Sequence, residues 1–134
     1  MINKKDKVYK DFLENQLFYA TFVVSLEGAT IAYNKSPQIG ETEIIVKGFK
    51  NVKKWTSFQL IGEQYNINIR ENNRVYGQNE KRGCIIVKTN KAFIIGIYPK
   101  RMELSPRVLY MDKFSKLYES DDSITGLEKE KYVY

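Results

Sequence analysis

The stretch Gly83–Met102, GCIIVKTNKAFIIGIYPKRM, constrains this chain more than any other. Cys84–Val87 and Ala92–Tyr98 are two apolar runs without a charge. A strand with one wet face would alternate apolar and polar residues, so two uncharged runs predict strands buried on both faces. Between them Thr89-Asn90-Lys91-Ala92 leaves a two-residue connection, and Asn90 is of the non-glycine type that best tolerates positive φ. The stretch therefore reads as a hairpin at the centre of a covered sheet.

The rest of the chain supplies the covers. Asp6 is placed to cap a first helix in which Val8, Tyr9, Phe12, Leu13, Gln16 and Leu17 share a face. Ala20, Phe22, Val24 and Leu26 alternate with Thr21, Val23 and Ser25, and Glu27-Gly28 turns the chain into Ala29–Tyr33, a first hairpin. After a loop holding Pro37 and Gly40, the residues Ile44, Ile45, Gly48, Phe49 and Val52 share one side of a short helix, whose packing Trp55 and Phe58 continue. Tyr65, Ile67 and Ile69 then oppose Asn66, Asn68 and Arg70, a strand with one wet face. Asn72-Asn73 turns into Arg74–Gln78, and a charged loop follows. Ser105 before Pro106 predicts the cap of a last helix, with Val108, Leu109, Met111, Phe114, Leu117 and Tyr118 on its apolar side. The charge-rich segment 119–134 is expected to fray. Short turns between strands imply an antiparallel sheet in an α/β (α+β) fold, and residues 1–134 read as one domain.

Composition closes several functional classes. The chain has 134 residues, a formal charge of +6 and no histidine, which removes Ser-His-Asp and Cys-His catalysis and His-based zinc sites. Its eight glycines show neither phosphate-loop spacing, so no enzyme signature, cofactor site or metal site is expected. The single Cys84 lies inside an apolar strand and reads as a small buried hydrophobe. The N-terminal MINKKDK has no apolar run behind its lysines, and a cytoplasmic location is expected. The positive charge favours an acidic partner: a protein face, an anionic lipid surface or nucleic acid. Exposed aromatics do not interleave with the basic residues as a single-strand-binding face requires, so nucleic acid is not expected.

The hairpin and its flanks resemble profilin, the actin-monomer-binding family. The resemblance rests on Lys88-Thr89, Ala92, Gly96-Ile97-Tyr98 and Ser105-Pro106, with a second match at Leu60-Ile61-Gly62-Glu63-Gln64-Tyr65. Weaker agreement runs from Glu27-Gly28 to Tyr118. It implies a sheet of about six strands with the terminal helices on one face and the short helix on the other. In function it implies a non-enzymatic cytoskeletal protein that binds monomeric actin at its barbed face and regulates polymerisation and nucleotide exchange. The Lys, Asn and Ile content looks like a divergent member, of the Asgard-archaeal or protist kind.

Carried over by position, the resemblance assigns actin binding to Gln64, Asn66, Arg74, Lys81, Arg82, Arg107, Lys113 and Lys116. Gln64 departs from the family's usual lysine. Glu103 and Leu104 resemble an insertion that shifts the register of the last helix. The family also has an aromatic cradle for polyproline, and its two tryptophans correspond here to Asp6 and Ile31. The three tyrosines Tyr9, Tyr33 and Tyr118 are the remaining candidates, with Tyr132 and Tyr134 of the C-terminal segment beside them, so weak or altered polyproline binding is expected. Lys100 and Arg101 are candidates for anionic phosphoinositide lipids. A rival reading is a longin- or roadblock-like dimeric scaffold that binds small GTPases; the profilin reading expects a monomer.

Overall fold

The computed structural model describes residues 3–134. One eight-stranded sheet carries helices on both faces. In chain order the elements are α1 (Lys4–Leu13), β1 (Ala20–Ser25), β2 (Thr30–Tyr33), α2 (Glu41–Lys50), β3 (Ser57–Leu60), β4 (Glu63–Glu71), β5 (Arg74–Gln78), β6 (Arg82–Lys88), β7 (Ala92–Pro99), α3 (Leu104–Ser120) and β8 (Tyr132–Val133). A single 3-10 turn, Val52–Lys54, links α2 to β3. The strands lie in the order β3-β4-β5-β6-β7-β1-β2-β8, antiparallel throughout except for the parallel pair β2–β8.

The two faces carry separate cores. On one, Val8, Tyr9, Phe12 and Leu13 of α1 and Met111, Phe114 and Tyr118 of α3 pack on Val23, Tyr76, Ile85, Val87, Ile94 and Tyr98. Phe12 stacks on Phe114 with ring centroids 4.1 Å apart and joins the two helices. On the other, Ile45 and Phe49 of α2 with Trp55 cover Phe22, Val24, Phe58, Tyr65, Val75, Cys84, Ile86, Phe93, Ile95 and Ile97. Successive residues of β6 and β7 alternate between these cores, which is why neither strand carries a charge in its interior. β1 lies between β7 and β2, so it too is buried on both sides, with Thr21 and Ser25 included.

Several local expectations are corrected. Asn3, not Asp6, caps α1: its side chain accepts the Asp6 N–H at 2.8 Å, and Asp6 sits in the first turn. Glu103 is the N-cap of α3 and makes no side-chain cap bond, so Ser105 and Pro106 lie inside the first turn. Pro106 is tolerated there because first-turn N–H groups have no helical partner to lose. Asn90 is not in the left-handed region, where Ile61 (φ 50°) is the non-glycine residue found among those described. Thr89 replaces the need, its hydroxyl accepting the amides of Lys91 (3.1 Å) and Ala92 (3.0 Å). Ile44, Leu109 and Leu117, assigned to buried helical faces, are exposed.

Two strands were not expected. β3 is short and follows a turn that reads as helix, and β8 belongs to the segment expected to fray. That segment instead folds back: Ile124 is buried, β8 pairs with β2, and the Tyr134 N–H donates to the Tyr33 carbonyl at 3.2 Å. Lys129, Glu130 and Lys131 stay exposed, while Asp121 is buried and Glu128 turns inward to the Tyr9 hydroxyl.

Candidate functional site

On the α1/α3 face the helices cover the sheet from β2 to β5, and no residue of β4 joins their core. Tyr65 and Ile67 turn to the opposite core, so Gln64 and Asn66 project from the uncovered side of β4, and both are exposed. This open strip, bordered by α3, is where the candidate residues collect. Asn79 shapes one end: its side chain accepts the amides of Lys81 (2.9 Å) and Arg82 (2.8 Å) and donates to the Gln64 carbonyl at 3.3 Å. Gln64 and the exposed Lys81 are thus brought to the same corner. At the other end Arg74 pairs with Asp112 of α3 and lines, with Lys116, a shallow groove beside the β4–β5 turn.

Not every candidate belongs there. Arg107 is buried; its Nε donates to the Leu17 carbonyl at 2.9 Å and its Nη1 to the Glu103 carbonyl at 2.7 Å. A guanidinium has five fixed donors, and here one ties α3 to the chain around Leu17 while another closes on the helix's own N-cap carbonyl at Glu103, instead of meeting a partner. Arg82 is half-buried, paired with Glu63 and stacked 3.9 Å above the Tyr19 ring centroid, so its charge is partly committed within the chain. Lys113 is exposed but lines the groove between α3 and α1 with Lys4 and Lys7, apart from Lys116. Lys100 and Arg101 are exposed and line a cleft with Lys81 and Arg82, so the lipid and actin candidates meet at Lys81.

The three tyrosines do not form one cradle. Tyr33 packs against the α2-side core, whereas Tyr9 and Tyr118 belong to the α1/α3 core, both 0 % exposed. Their hydroxyls meet at 2.7 Å, and the Tyr9 hydroxyl also lies 2.8 Å from Glu128 Oε2. Tyr132 stacks on Tyr9 with centroids 4.3 Å apart. Burial, and the Asp6 and Glu128 carboxylates nearby, push the Tyr132 phenol up to about 12. Ile31, one of the positions where the family places tryptophan, is buried in the same core.

Sequence reasoning named Tyr132 among the candidate aromatics but missed that segment 124–134 folds over Tyr9, although Tyr132-Val133 is a β-favouring pair. It also missed Glu41, which is 2 % exposed and accepts four hydrogen bonds. Among the described residues no group of acidic, cysteine or histidine side chains could hold a metal ion, and no helix is long and apolar enough to cross a membrane.

Residues 6–123 match the model of the family described as Profilin. No curated protein sequence matches the chain significantly. Among solved structures, Acanthamoeba castellanii profilin II aligns with TM-score 0.72 at 20% identity, covering 81% of this chain and 94% of that one. LokiProfilin2, solved as a complex with rabbit actin, aligns with TM-score 0.71 at 19% identity, covering 89% of this chain and 98% of its own. MglB, in a tetrameric arrangement, aligns with TM-score 0.61 at 12% identity, covering 89% and 90%. With the family match spanning all but the ends, and a sheet clasped by terminal helices on one face and a short helix on the other, this chain belongs to the profilin family.

Proposed function

We propose that this protein binds monomeric actin at its barbed face through the open side of β4 and the adjoining edge of α3, slowing nucleation and altering nucleotide exchange on actin. The observation that carries the reading is the uncovered strip of β4: a strand of a covered sheet is left bare on one side, with Gln64 and Asn66 outward and Lys81, Arg74 and Lys116 at its two ends. LokiProfilin1 and LokiProfilin2, which share this fold, were each solved with rabbit actin. Basic residues around a polar strip suit an acidic protein face, and their field speeds encounter more than it adds affinity. Lys113 contributes from the flank. Exchange follows if the protein favours one of two actin conformations.

The same reading makes the protein a cytoplasmic monomer that forms no covalent intermediate. Lys100 and Arg101 extend it to phosphoinositides, with Lys81 shared between the two ligands, so lipid and actin compete. Spontaneous assembly of pyrene-labelled actin tests the proposal: an equimolar amount of the protein lengthens the lag. Unchanged assembly of the cognate actin at low salt, with folded protein, refutes it. Size-exclusion chromatography separates the rival scaffold, which elutes as a dimer without actin.

A further inference from the structure

Segment 124–134 lies beyond the family match yet occupies a defined slot on the molecule. The slot has three walls. The edge of β2 offers its backbone, and β8 takes it in parallel register with Ala32 opposite Tyr132 and Tyr33 opposite Val133. The Tyr9 ring offers a face, which Tyr132 stacks upon. The Tyr9 hydroxyl offers a proton, which Glu128 accepts. Together these recognise an extended segment with a carboxylate four residues before an aromatic ring.

The occupant is held weakly by comparison with the core. Its sheet contribution is a two-residue strand at an edge, and Thr125, Leu127, Lys129, Glu130 and Lys131 are exposed. Short edge elements with few buried side chains open at a small fraction of the global unfolding free energy. Its path depends on Gly126, at φ +77°, where an added Cβ would come within 2.3 Å of the Lys91 carbonyl oxygen.

We propose that segment 124–134 is a displaceable strap occupying in cis a peptide-binding slot that, when vacated, takes an extended segment of a partner protein by strand addition to β2, aromatic stacking on Tyr9 and a carboxylate on its hydroxyl. Strand addition supplies sequence-independent hydrogen bonds, and the two side-chain contacts supply selectivity. Tethering gives the strap an effective concentration on the order of millimolar, so a free peptide competes poorly until the strap is loosened. The inference does not rest on actin binding.

The probe is a fluorescein-labelled synthetic peptide of residues 121–134, followed by fluorescence polarisation on the full chain. Gly126→Ala and Tyr132→Ala, made separately, loosen the strap and strengthen peptide binding at least tenfold over the unsubstituted protein. In either background, the peptide carrying Glu128→Gln binds several-fold more weakly, and adding Tyr9→Phe to the protein abolishes that difference. Equal binding by loosened and unsubstituted protein, or an unchanged carboxylate preference after Tyr9→Phe, overturns the proposal. Dimerisation of the Gly126→Ala chain in light scattering overturns the assignment to a partner protein, because a second copy then fills the slot. Hydrogen exchange on the unsubstituted protein is a check that no variant can confound: residues 124–134 exchange far faster than β6 and β7, and equal protection means the segment is core and no strap.

Discussion

The Glu41 carboxylate receives the backbone N–H of Ile61 at 2.8 Å, across the contact between α2 and the β3–β4 turn. Ile61 and Gly62 both have positive φ, 50° and 75°. A β-branched residue in that region costs about 1–2 kcal/mol, and Glu41 holds it there. Besides Ile61, it accepts the amides of Gly62 (2.9 Å) and Gln38 (2.8 Å) and the Gln59 side chain at 3.0 Å. The carboxylate thus fixes a turn whose residues, Leu60 to Tyr65, carry much of the family resemblance.

Glu41→Ala leaves four donors without their acceptor, three of them backbone amides, and is expected to cost about 3 kcal/mol of stability, measured by urea denaturation. Burial alone would raise the Glu41 pKa, but the hydrogen bonds outweigh it and hold the group below its ordinary 4.5. A lowered folded pKa means that the contribution is complete above 4.5 and is lost as pH falls through the folded value. Burial is likewise outweighed by hydrogen bonds at Glu63 and Glu128. Glu41→Gln should therefore make the acid limb of the stability profile shallower without removing it.

Gly48→Ala separates local propensity from packing. In an exposed helix the change would stabilise by up to about 1 kcal/mol. Here a Cβ would lie 2.2 Å from the Trp55 ring, which rests on the glycine. Trp55 must move, and overpacking of this kind costs about 1–3 kcal/mol. A lower melting temperature, with a shifted tryptophan emission maximum, is the expected outcome; a higher one would mean that the ring yields freely.

Arg107→Ala should act on stability and leave actin affinity unchanged in protein that remains folded. It removes two charge-assisted hydrogen bonds to part-buried backbone carbonyls, a loss of about 2–3 kcal/mol. Arg74→Glu, Lys81→Glu and Lys116→Glu combined should do the reverse, abolishing the effect on pyrene-actin assembly while leaving the circular dichroism spectrum native. If Arg107→Ala weakens actin binding as strongly as the triple variant, the β4 strip is not the contact surface.

Decaproline should bind at about millimolar affinity or weaker. Two large aromatic anchors are absent, each commonly contributing 2 kcal/mol or more, and Tyr9 and Tyr118 are fully buried. Saturable NMR shifts at micromolar peptide, centred on these tyrosines, would contradict this.

The sequence was most legible where packing alone decides. The uncharged runs of β6 and β7 announce two-sided burial, and the helical spacing of Val8, Tyr9, Phe12 and Leu13 announces the face of α1. It was least legible where a contact joins distant segments. Arg107 looks like one more surface charge until the Leu17 and Glu103 carbonyls arrive beside it. Segment 119–134 has the composition of a loose tail, and its order comes from Tyr9 and the β2 edge, which no local pattern encodes. Of the candidate residues, Gln64, Asn66, Lys81 and Lys116 are exposed, as a surface reading of polar side chains expects, whereas Arg74 and Arg82 are tied to carboxylates that no local pattern announces.

The pairing of β1 with β7 also bears on synthesis. From Ala20↔Ile97 to Ser25↔Ala92, the strand made first waits for one made near the end of the sheet. Until the ribosome has passed Pro99, β1 has β2 on one edge and nothing on the other, and all six of its residues are ones that the finished fold hides. The β4–β7 meander, by contrast, can close as it is made, because each strand pairs with the next. The nascent N-terminal hairpin therefore keeps apolar surface open until the last long strand slots in beside it, which is the stage at which exposed strand edges favour misassociation.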